Sequence, residues 1–282
     1  MRRFGLLFGA LLLVAFPAPT HASDATPKDK GLFISPLRSY ISVQPGKTQS
    51  GTFTVANITE APITITLSVE QFSVADYTYE YQFTQAKDDW VRLSETQLTL
   101  QPEKSQKLNF VAAPPANASP GGHYFTIFAS AHLQNDASEV RAATVLYITV
   151  EGALRLSSAV NGTTIPFFSF GNDIPFSLNV KNTGNSHFFT YTSGKLEGFS
   201  AQSGGPEVTN LLLPGTSRII SSSIPAPLLP GVYKAVFGYR TDGNQTVQRS
   251  SYVVYVPPWS VLIPIGAAWL FFAVRRYRRA RR

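Results

Sequence analysis

Short stretches in which apolar and polar residues alternate one by one constrain the fold of this 282-residue chain more than any other feature. In the clearest of them, residues 63–70 read Ile-Thr-Ile-Thr-Leu-Ser-Val-Glu. Successive side chains of a β-strand point to opposite faces, so this stretch predicts a strand with one buried face. Similar stretches recur with Pro-Gly or Pro-Pro pairs between them, and no sustained helical period occurs between residues 23 and 256. The sequence therefore predicts an all-β fold built from sandwiches.

The strand-rich region also repeats itself. Three pairs of segments resemble each other in order along the chain: 51–57 with 175–182, 98–105 with 211–217, and 120–128 with 230–237. Their separation shrinks along the chain, which places roughly a dozen extra residues in the first copy, most simply within 73–92. The repeat predicts two tandem Ig-like β-sandwiches, at 32–150 and 151–256. The short linker at Glu151-Gly152 predicts a stiff connection between them.

The N-terminus has the pattern of an export signal. Arg2 and Arg3 precede an apolar run of 13 residues from Phe4 to Phe16, which is short for a membrane span. Proline and small residues follow, and Ala22 suits the position before a cleavage site. Residues 1–22 are therefore predicted to be a cleaved signal peptide.

The C-terminus has the pattern of a membrane anchor. Residues 257–274 contain no charge, and as a helix they would span about 27 Å, close to the thickness of a thin bilayer. Trp259 and Trp269 are candidate interface anchors, and Arg275 and Arg276 begin the Arg-rich tail 275–282. By the positive-inside rule this tail stays in the cytoplasm. The predicted topology is a single-pass protein of the cell membrane whose N-terminal region is extracellular or periplasmic.

The net charge of +7 does not describe the body of the protein. Eight arginines lie in the two ends, and removing them leaves 16 basic residues against 17 acidic ones. A nucleic-acid-binding domain would carry its positive charge on the folded body, so no nucleic-acid partner is expected. The absence of cysteine excludes disulfides and thiolate chemistry, and favours a bacterial source over a eukaryotic receptor.

Motifs that would indicate an enzyme or a metal site are missing from the sequence. His123, His132 and His187 are scattered and form no HExxH pair. No nucleophile elbow, P-loop or dinucleotide-binding glycine pattern occurs. We therefore expect no catalytic residues, no metal ligands, no cofactor and no enzymatic activity.

An aromatic stretch in the extra segment of the first copy is the candidate ligand face. If residues 77–83 form a strand, Tyr77, Tyr79, Tyr81 and Phe83 share one of its faces. That face is either part of the core or a binding surface, since tyrosine suits both sugar stacking and protein contacts. Tyr77, Tyr79 and Tyr81, with the nearby Trp90, are the predicted ligand-binding residues.

Residues 43–57, Val-Gln-Pro-Gly-Lys-Thr-Gln-Ser-Gly-Thr-Phe-Thr-Val-Ala-Asn, and residues 120–125, Pro-Gly-Gly-His-Tyr-Phe, carry a resemblance to a known family. With the signal peptide, the two sandwiches, the single helix and the basic tail, they resemble the WxL-interacting surface proteins of Gram-positive bacteria. The resemblance covers about residues 32–256 and the architecture. It implies a first module associated with peptidoglycan and a second with host or partner proteins, and it assigns no binding residue.

The favoured function is that of a membrane-anchored cell-surface scaffold or adhesin-like protein, which presents its modules to cell-wall polymer or to a protein partner. A chaperone-like assembly factor is one alternative, and it requires an exposed, long, hydrophobic edge strand. An accessory subunit of a membrane complex is another, with helix contacts through Gly266, Ala267 and Ala268. A Gram-positive surface and a periplasmic face both fit the sequence, which does not specify an oligomeric state.

Overall fold

The computed structural model describes residues 31–87, 89–132, 139–198 and 204–280. The predicted signal peptide and the last two arginines of the tail lie outside these residues. Strands dominate the described chain up to Tyr255, and one helix follows them. The predicted all-β fold with two Ig-like sandwiches is confirmed.

The first module comprises ten strands within the predicted range 32–150. They are β1 Leu32–Ser35, β2 Arg38–Val43, β3 Gln49–Asn57, β4 Ile63–Val74, β5 Tyr81–Gln85, β6 Val91–Leu93, β7 Gln97–Leu100, β8 Ser105–Ala112, β9 Gly121–His132 and β10 Glu139–Val150. One sheet has the order β1-β3-β8-β6, and the other has the order β2-β10-β9-β4-β5, with β7 also pairing with β4. Between the two sheets lies a core that includes Phe53, Phe110, Phe125 and Ile127.

The second module comprises eight strands within the predicted range 151–256. They are β11 Ser158–Thr164, β12 Phe168–Ser169, β13 Asp173–Asn182, β14 Phe188–Glu197, β15 Val208–Leu212, β16 Ser217–Pro225, β17 Gly231–Thr241 and β18 Thr246–Tyr255. The sheets have the orders β11-β13-β16 and β12-β18-β17-β14-β15. They enclose a second core, separate from the first, that includes Phe176, Phe188 and Phe237.

The predicted internal repeat is visible in a pair of buried asparagines at the ends of β3 and β13. The Asn57 side-chain nitrogen donates to the carbonyls of Ala61 at 2.8 Å and Leu100 at 3.1 Å. In the second module, the Asn182 nitrogen donates to the carbonyls of Ser186 at 2.9 Å and Leu212 at 3.1 Å. The same residue type thus ties together the same two chain segments in each copy.

The extra residues of the first copy form β5, β6 and their connections, as the shrinking separation of the repeat predicts. β5 adds to the edge of the larger sheet by pairing with the last part of β4, from Glu70↔Gln85 to Val74↔Tyr81. The turn between these strands, residues 75–80, contacts the second module. The two modules are therefore in direct contact, and both belong to one compact unit of the chain, Gly31–Arg282.

The C-terminal segment starts with a 3-10 turn at Pro258–Val261 and continues as helix α1, Leu262–Ala280. The stretch Pro258–Arg279 is long and apolar enough to cross a membrane. Because α1 begins at Leu262, Pro264 lies in its first turn, where a helix needs no backbone donor. The helix is longer than the predicted range 257–274 and carries Trp269, Arg275 and Arg276, whereas Trp259 lies in the preceding turn.

Candidate functional site

The larger sheet of the first module has an aromatic outer face. Alternate residues of β4, β9 and β10 point away from the first core, and they place Phe72, Tyr124 and Tyr147 side by side on this face. The ring centroids of Phe72 and Tyr124 are 5.6 Å apart, and those of Phe72 and Tyr147 are 5.7 Å apart. Aromatic rings at such separations attract each other beyond the effect of area burial. The outer face therefore holds a second apolar cluster within the first module.

The second module covers one part of this aromatic face. Leu211 and Leu213 belong to the same buried cluster as Phe72 and Tyr147. His187 lies 5.3 Å from the Tyr147 ring, and Phe189 lies 5.8 Å from the Tyr40 ring. Tyr147 is fully buried although it points away from the first core, because the second module packs over it.

Polar contacts from the turn at residues 75–80 complete the contact between the modules. The backbone N–H of Leu213 donates to the Tyr79 hydroxyl at 2.7 Å, and the N–H of Ser217 donates to an Asp76 carboxylate oxygen, also at 2.7 Å. The guanidinium of Arg218 lies over the Tyr79 ring, 4.2 Å from its centroid. Burial raises the pKa of Tyr79 to about 12, so this side chain stays neutral at physiological pH.

The other part of the aromatic face is uncovered and forms a groove. Its volume is about 570 Å³, and its lining is Leu37, Arg38, Tyr81, Phe83, Ala143 and Val145. The rings of Tyr81 and Phe83 are stacked with centroids 6.0 Å apart, and Phe83 packs edge-on against Phe128 at 5.0 Å. These contacts hold the two exposed rings in place, so the groove has a preformed apolar wall.

Beside the groove, strand β10 has an open edge. Its second half, Val145–Val150, pairs with β2, whereas no described strand pairs with Glu139–Thr144 on that side. The N–H of Val145 donates to the carbonyl of Leu37 at 3.0 Å, and therefore points toward the open side. By the alternation of a ladder, the N–H and C=O groups of Arg141 and Ala143 point the same way. An extended peptide added here would continue the line of β2 and lay alternate side chains in the groove.

The structure separates the four predicted ligand-binding residues. Tyr77 and Tyr79 lie in a turn and have positive φ angles of 67° and 62°, so the prediction that they share a strand face with Tyr81 and Phe83 is wrong. The reason is that the chain must reverse between β4 and β5 within residues 75–80. Tyr79 is taken up by the contact with the second module, and Tyr77 is exposed.

Of the other two predicted residues, only Tyr81 lines the groove. Trp90 packs against the first core, where its ring lies 4.4 Å from that of His123. Sequence reasoning missed Leu37, Arg38 and Ala143, because the groove depends on where β2 stops covering β10. The apolar run in the second half of β10, with apolar residues on both faces of the strand, is a sequence signal for a second packing surface. Among the described residues, no group of three or more His, Asp or Glu side chains could hold a metal ion.

Burial of His187 between the modules predicts a pH-dependent stability. Desolvation lowers the pKa of His187, while the nearby Asp242 carboxylate acts in the opposite direction, and the Tyr124 hydroxyl lies 3.3 Å from its Nδ1. The charged form is thus favoured in the unfolded chain. We expect full stability above about pH 6.5, and a progressive loss as the pH falls toward the lowered folded-state pKa.

Thermal unfolding of the wild type and of His187→Phe between pH 7.5 and 5 tests this expectation. Phenylalanine retains an aromatic ring in the cluster but cannot take up a proton. The melting temperature of the variant should therefore fall less with acidification than that of the wild type. Equal slopes for the two proteins would show that another group dominates the acid response.

Comparison with known proteins gave matches only among solved structures. Neither the scan against protein-family models nor the search of curated proteins gave a match. The crystal structure of the class 5 fimbriae chaperone CfaA is similar at 12% identity and a TM-score of 0.45, covering 80% of this chain and 100% of that one. The E. coli chaperone DraB is similar at 16% identity and a TM-score of 0.39, covering 78% of this chain and 96% of that one. A PapD-like domain of human CEP192 matches at 14% identity and a TM-score of 0.35, over 51% of this chain and 99% of that domain.

Proposed function

We propose that this chain is a non-enzymatic, membrane-anchored assembly factor of a bacterial envelope that holds an extended segment of a client protein. Strand addition to the open edge of β10 would supply main-chain hydrogen bonds, and the neighbouring groove would select alternate apolar side chains. Helix α1 would keep the bound client close to the membrane where it is needed. The proposal assigns no covalent step to any residue.

The observation that carries this proposal is the combination of an unpaired strand edge with a preformed apolar wall. β10 has 12 residues, and within its open half Val140 and Ala142 pack against the first core. The inner face of β10 is therefore held by core packing, while its backbone edge has no described partner strand. The alternative stated from the sequence, a chaperone-like factor, required an exposed, long, hydrophobic edge strand, and β10 comes nearest to that description.

The equivalent edge of the second module differs in chemistry. β18 pairs with β12 only at Val254 and Tyr255, so its first eight residues also lack a described partner on that side. There the central residues are Gln248, Arg249 and Ser250, which are exposed. Polar and charged side chains discourage strand addition, and although the open half of β10 also carries Glu139 and Arg141, it has the groove of Tyr81 and Phe83 beside it. This contrast supports the first module as the site of client binding.

The surface-scaffold function remains a second candidate because of the exposed rings in the groove. Tyr81 and Phe83 present stacked aromatic faces of the kind that bind sugars as well as apolar side chains. A cell-wall polymer would use these rings without needing the N–H groups of Arg141 and Ala143. The two candidates therefore predict different responses to a change of the backbone of β10.

The substitution Ala143→Pro separates them. Proline removes the outward N–H at this position and is tolerated best at an open edge, where no ladder bond is lost. Peptides selected from a random display library against the full chain in nanodiscs should have apolar residues at every second position. They should bind Ala143→Pro about tenfold more weakly than the wild type, as the loss of one or two hydrogen bonds implies.

Ser250→Pro is the matched control, since Ser250 has the equivalent outward-facing position on the open edge of β18. It should leave the affinity for the selected peptides unchanged. Equal affinities of wild type and Ala143→Pro would exclude strand addition at this edge. Retention of purified peptidoglycan by both proline variants would favour the surface-scaffold function instead.

A further inference from the structure

Large exposed apolar side chains of the second module gather at the end from which the chain enters the C-terminal helix. Within residues 151–256, the described examples lie at this end except Ile219 and, near the linker to the first module, Leu154 and Leu156. The apolar end patch consists of Phe167, Phe168, Phe170, Leu228, Leu229, Val232 and Tyr252. A soluble surface rarely concentrates this many aromatic and aliphatic side chains, so the patch indicates contact with an apolar partner.

The strand register places two of these positions in one row with Val254 between them. Phe168 pairs with Val254, and Val254 pairs with Val232, across the adjoining strands β12, β18 and β17. Their sequence neighbours Ser169, Val253 and Tyr233 are buried in the core, so the row lies on the outer face of the sheet. The exposed fractions of Phe168 and Val232 are 54% and 65%. The row is therefore an apolar rim built on paired strands, and not on a loose loop.

Charged side chains occupy the same face farther from this end. Lys234 pairs in register with Tyr252 on one side and with Glu197 on the other. Its ammonium group lies 3.4 Å from the Glu197 carboxylate, which also binds Lys195 at 3.0 Å. Apolar side chains lie at the end of the module, and charged side chains lie two residues farther along the strands. This order matches the change of environment across the surface of a bilayer, from hydrocarbon to headgroup.

The chain itself limits how far the patch can be from the membrane that would hold α1. Tyr255, the last residue of β18, is followed by a short extended link, the 3-10 turn at Pro258–Val261, and then α1. Three extended residues and one such turn reach about 18 Å at most. Trp259, half-exposed within this link, has the amphipathic ring typical of the membrane interface.

We propose that the apolar end patch rests in the headgroup and acyl boundary of the same bilayer that α1 crosses. This inference rests on the membrane anchoring in the proposed function and adds a second, peripheral contact to it. Two attachments at the same end would fix the orientation of the second module on the membrane. The groove of the first module would then lie at a defined height above the bilayer, because the second module could not rotate freely about its link to α1.

Single-cysteine labelling tests the proposal in the full chain, which has no cysteine of its own. A polarity-sensitive fluorophore is attached at Val232→Cys, at Ile219→Cys or at Phe271→Cys, with the protein in nanodiscs of phosphatidylethanolamine and phosphatidylglycerol. Ile219 is the matched control, because it is aliphatic and 52% exposed but lies near the start of β16, next to Arg218, which contacts the first module. Phe271 reports on α1 itself.

Brominated lipid should remove about half of the emission at position 232, since an interfacial helix or loop enters about 5–10 Å into the boundary. It should leave position 219 unchanged and quench position 271 strongly. Iodide should quench position 219 alone.

If brominated lipid quenches the label at 271 and iodide quenches the label at 232, the patch does not contact the bilayer. The membrane anchoring by α1 would still be supported. Protection of 232 from both quenchers would also overturn the patch contact, because a protein surface would then cover the patch. Failure of brominated lipid to quench 271 would overturn the anchor and the patch contact together.

Discussion

Tyr79→Ala should destabilise the protein by about 3 kcal/mol, because it removes an aromatic ring from a packed interface and the acceptor of a buried N–H. The ring belongs to the apolar cluster between the modules, and the hydroxyl accepts the Leu213 N–H. Since this residue links the two modules, we also expect urea unfolding to split into two transitions. Denaturation of the full chain, followed by intrinsic fluorescence, measures both effects.

Tyr77→Ala is the matched control for this result. Tyr77 lies two residues earlier in the same turn, also at positive φ, but its side chain is 51% exposed. Both variants therefore place alanine in a left-handed conformation, and the difference between them reports the side-chain contacts of Tyr79. If the two variants lost the same stability, backbone strain would account for the effect and the proposed role of the Tyr79 ring would be wrong.

Asn57→Ala and Asn182→Ala should each cost about 3 kcal/mol of unfolding free energy, because each removes two hydrogen bonds donated to main-chain carbonyls and the acceptor of a local N–H. Each asparagine side chain is fully buried and joins two segments of its own module. Asn109→Ala is the control: Asn109 is an exposed strand asparagine of β8, and its loss should change the free energy by no more than about 0.5 kcal/mol.

Urea titrations of the three asparagine variants give the free energies directly. Because the two asparagines make equivalent bonds, their losses should agree with each other. A loss of stability for only one of the two variants would mean that the modules do not share this asparagine hydrogen-bond arrangement in solution.

Much of the fold could be predicted from the sequence because each strand obeys a local rule. Residues 63–67 alternate in sequence and alternate in burial, and the turn formers after Asn57 end β3 at that residue. The extra segment of the first module was located by a change in repeat spacing, which needs no knowledge of packing. Such features depend on neighbours along the chain and are therefore readable without a structure.

Of the predicted ligand-binding residues only Tyr81 lines the groove, and the rest of the site could not be predicted because it depends on contacts between distant residues. The aromatic residues at 77 and 79 fit a strand pattern, yet the chain reverses there and Tyr79 turns toward Leu213, 134 residues away. The groove exists because β2 begins pairing only at Val145 and leaves the rest of β10 open. No local pattern specifies where an edge strand stops.

The turn at residues 75–80 also determines how many modules this architecture can join in the same way. It belongs to the extra segment, so the first module carries it, whereas β14 of the second module has no equivalent of β5 as a neighbour among the described strands. The two copies therefore differ at this point of the larger sheet. A third copy added after the second would find no matching turn to dock on. A third module held in the same way would therefore require the same insertion in the second one.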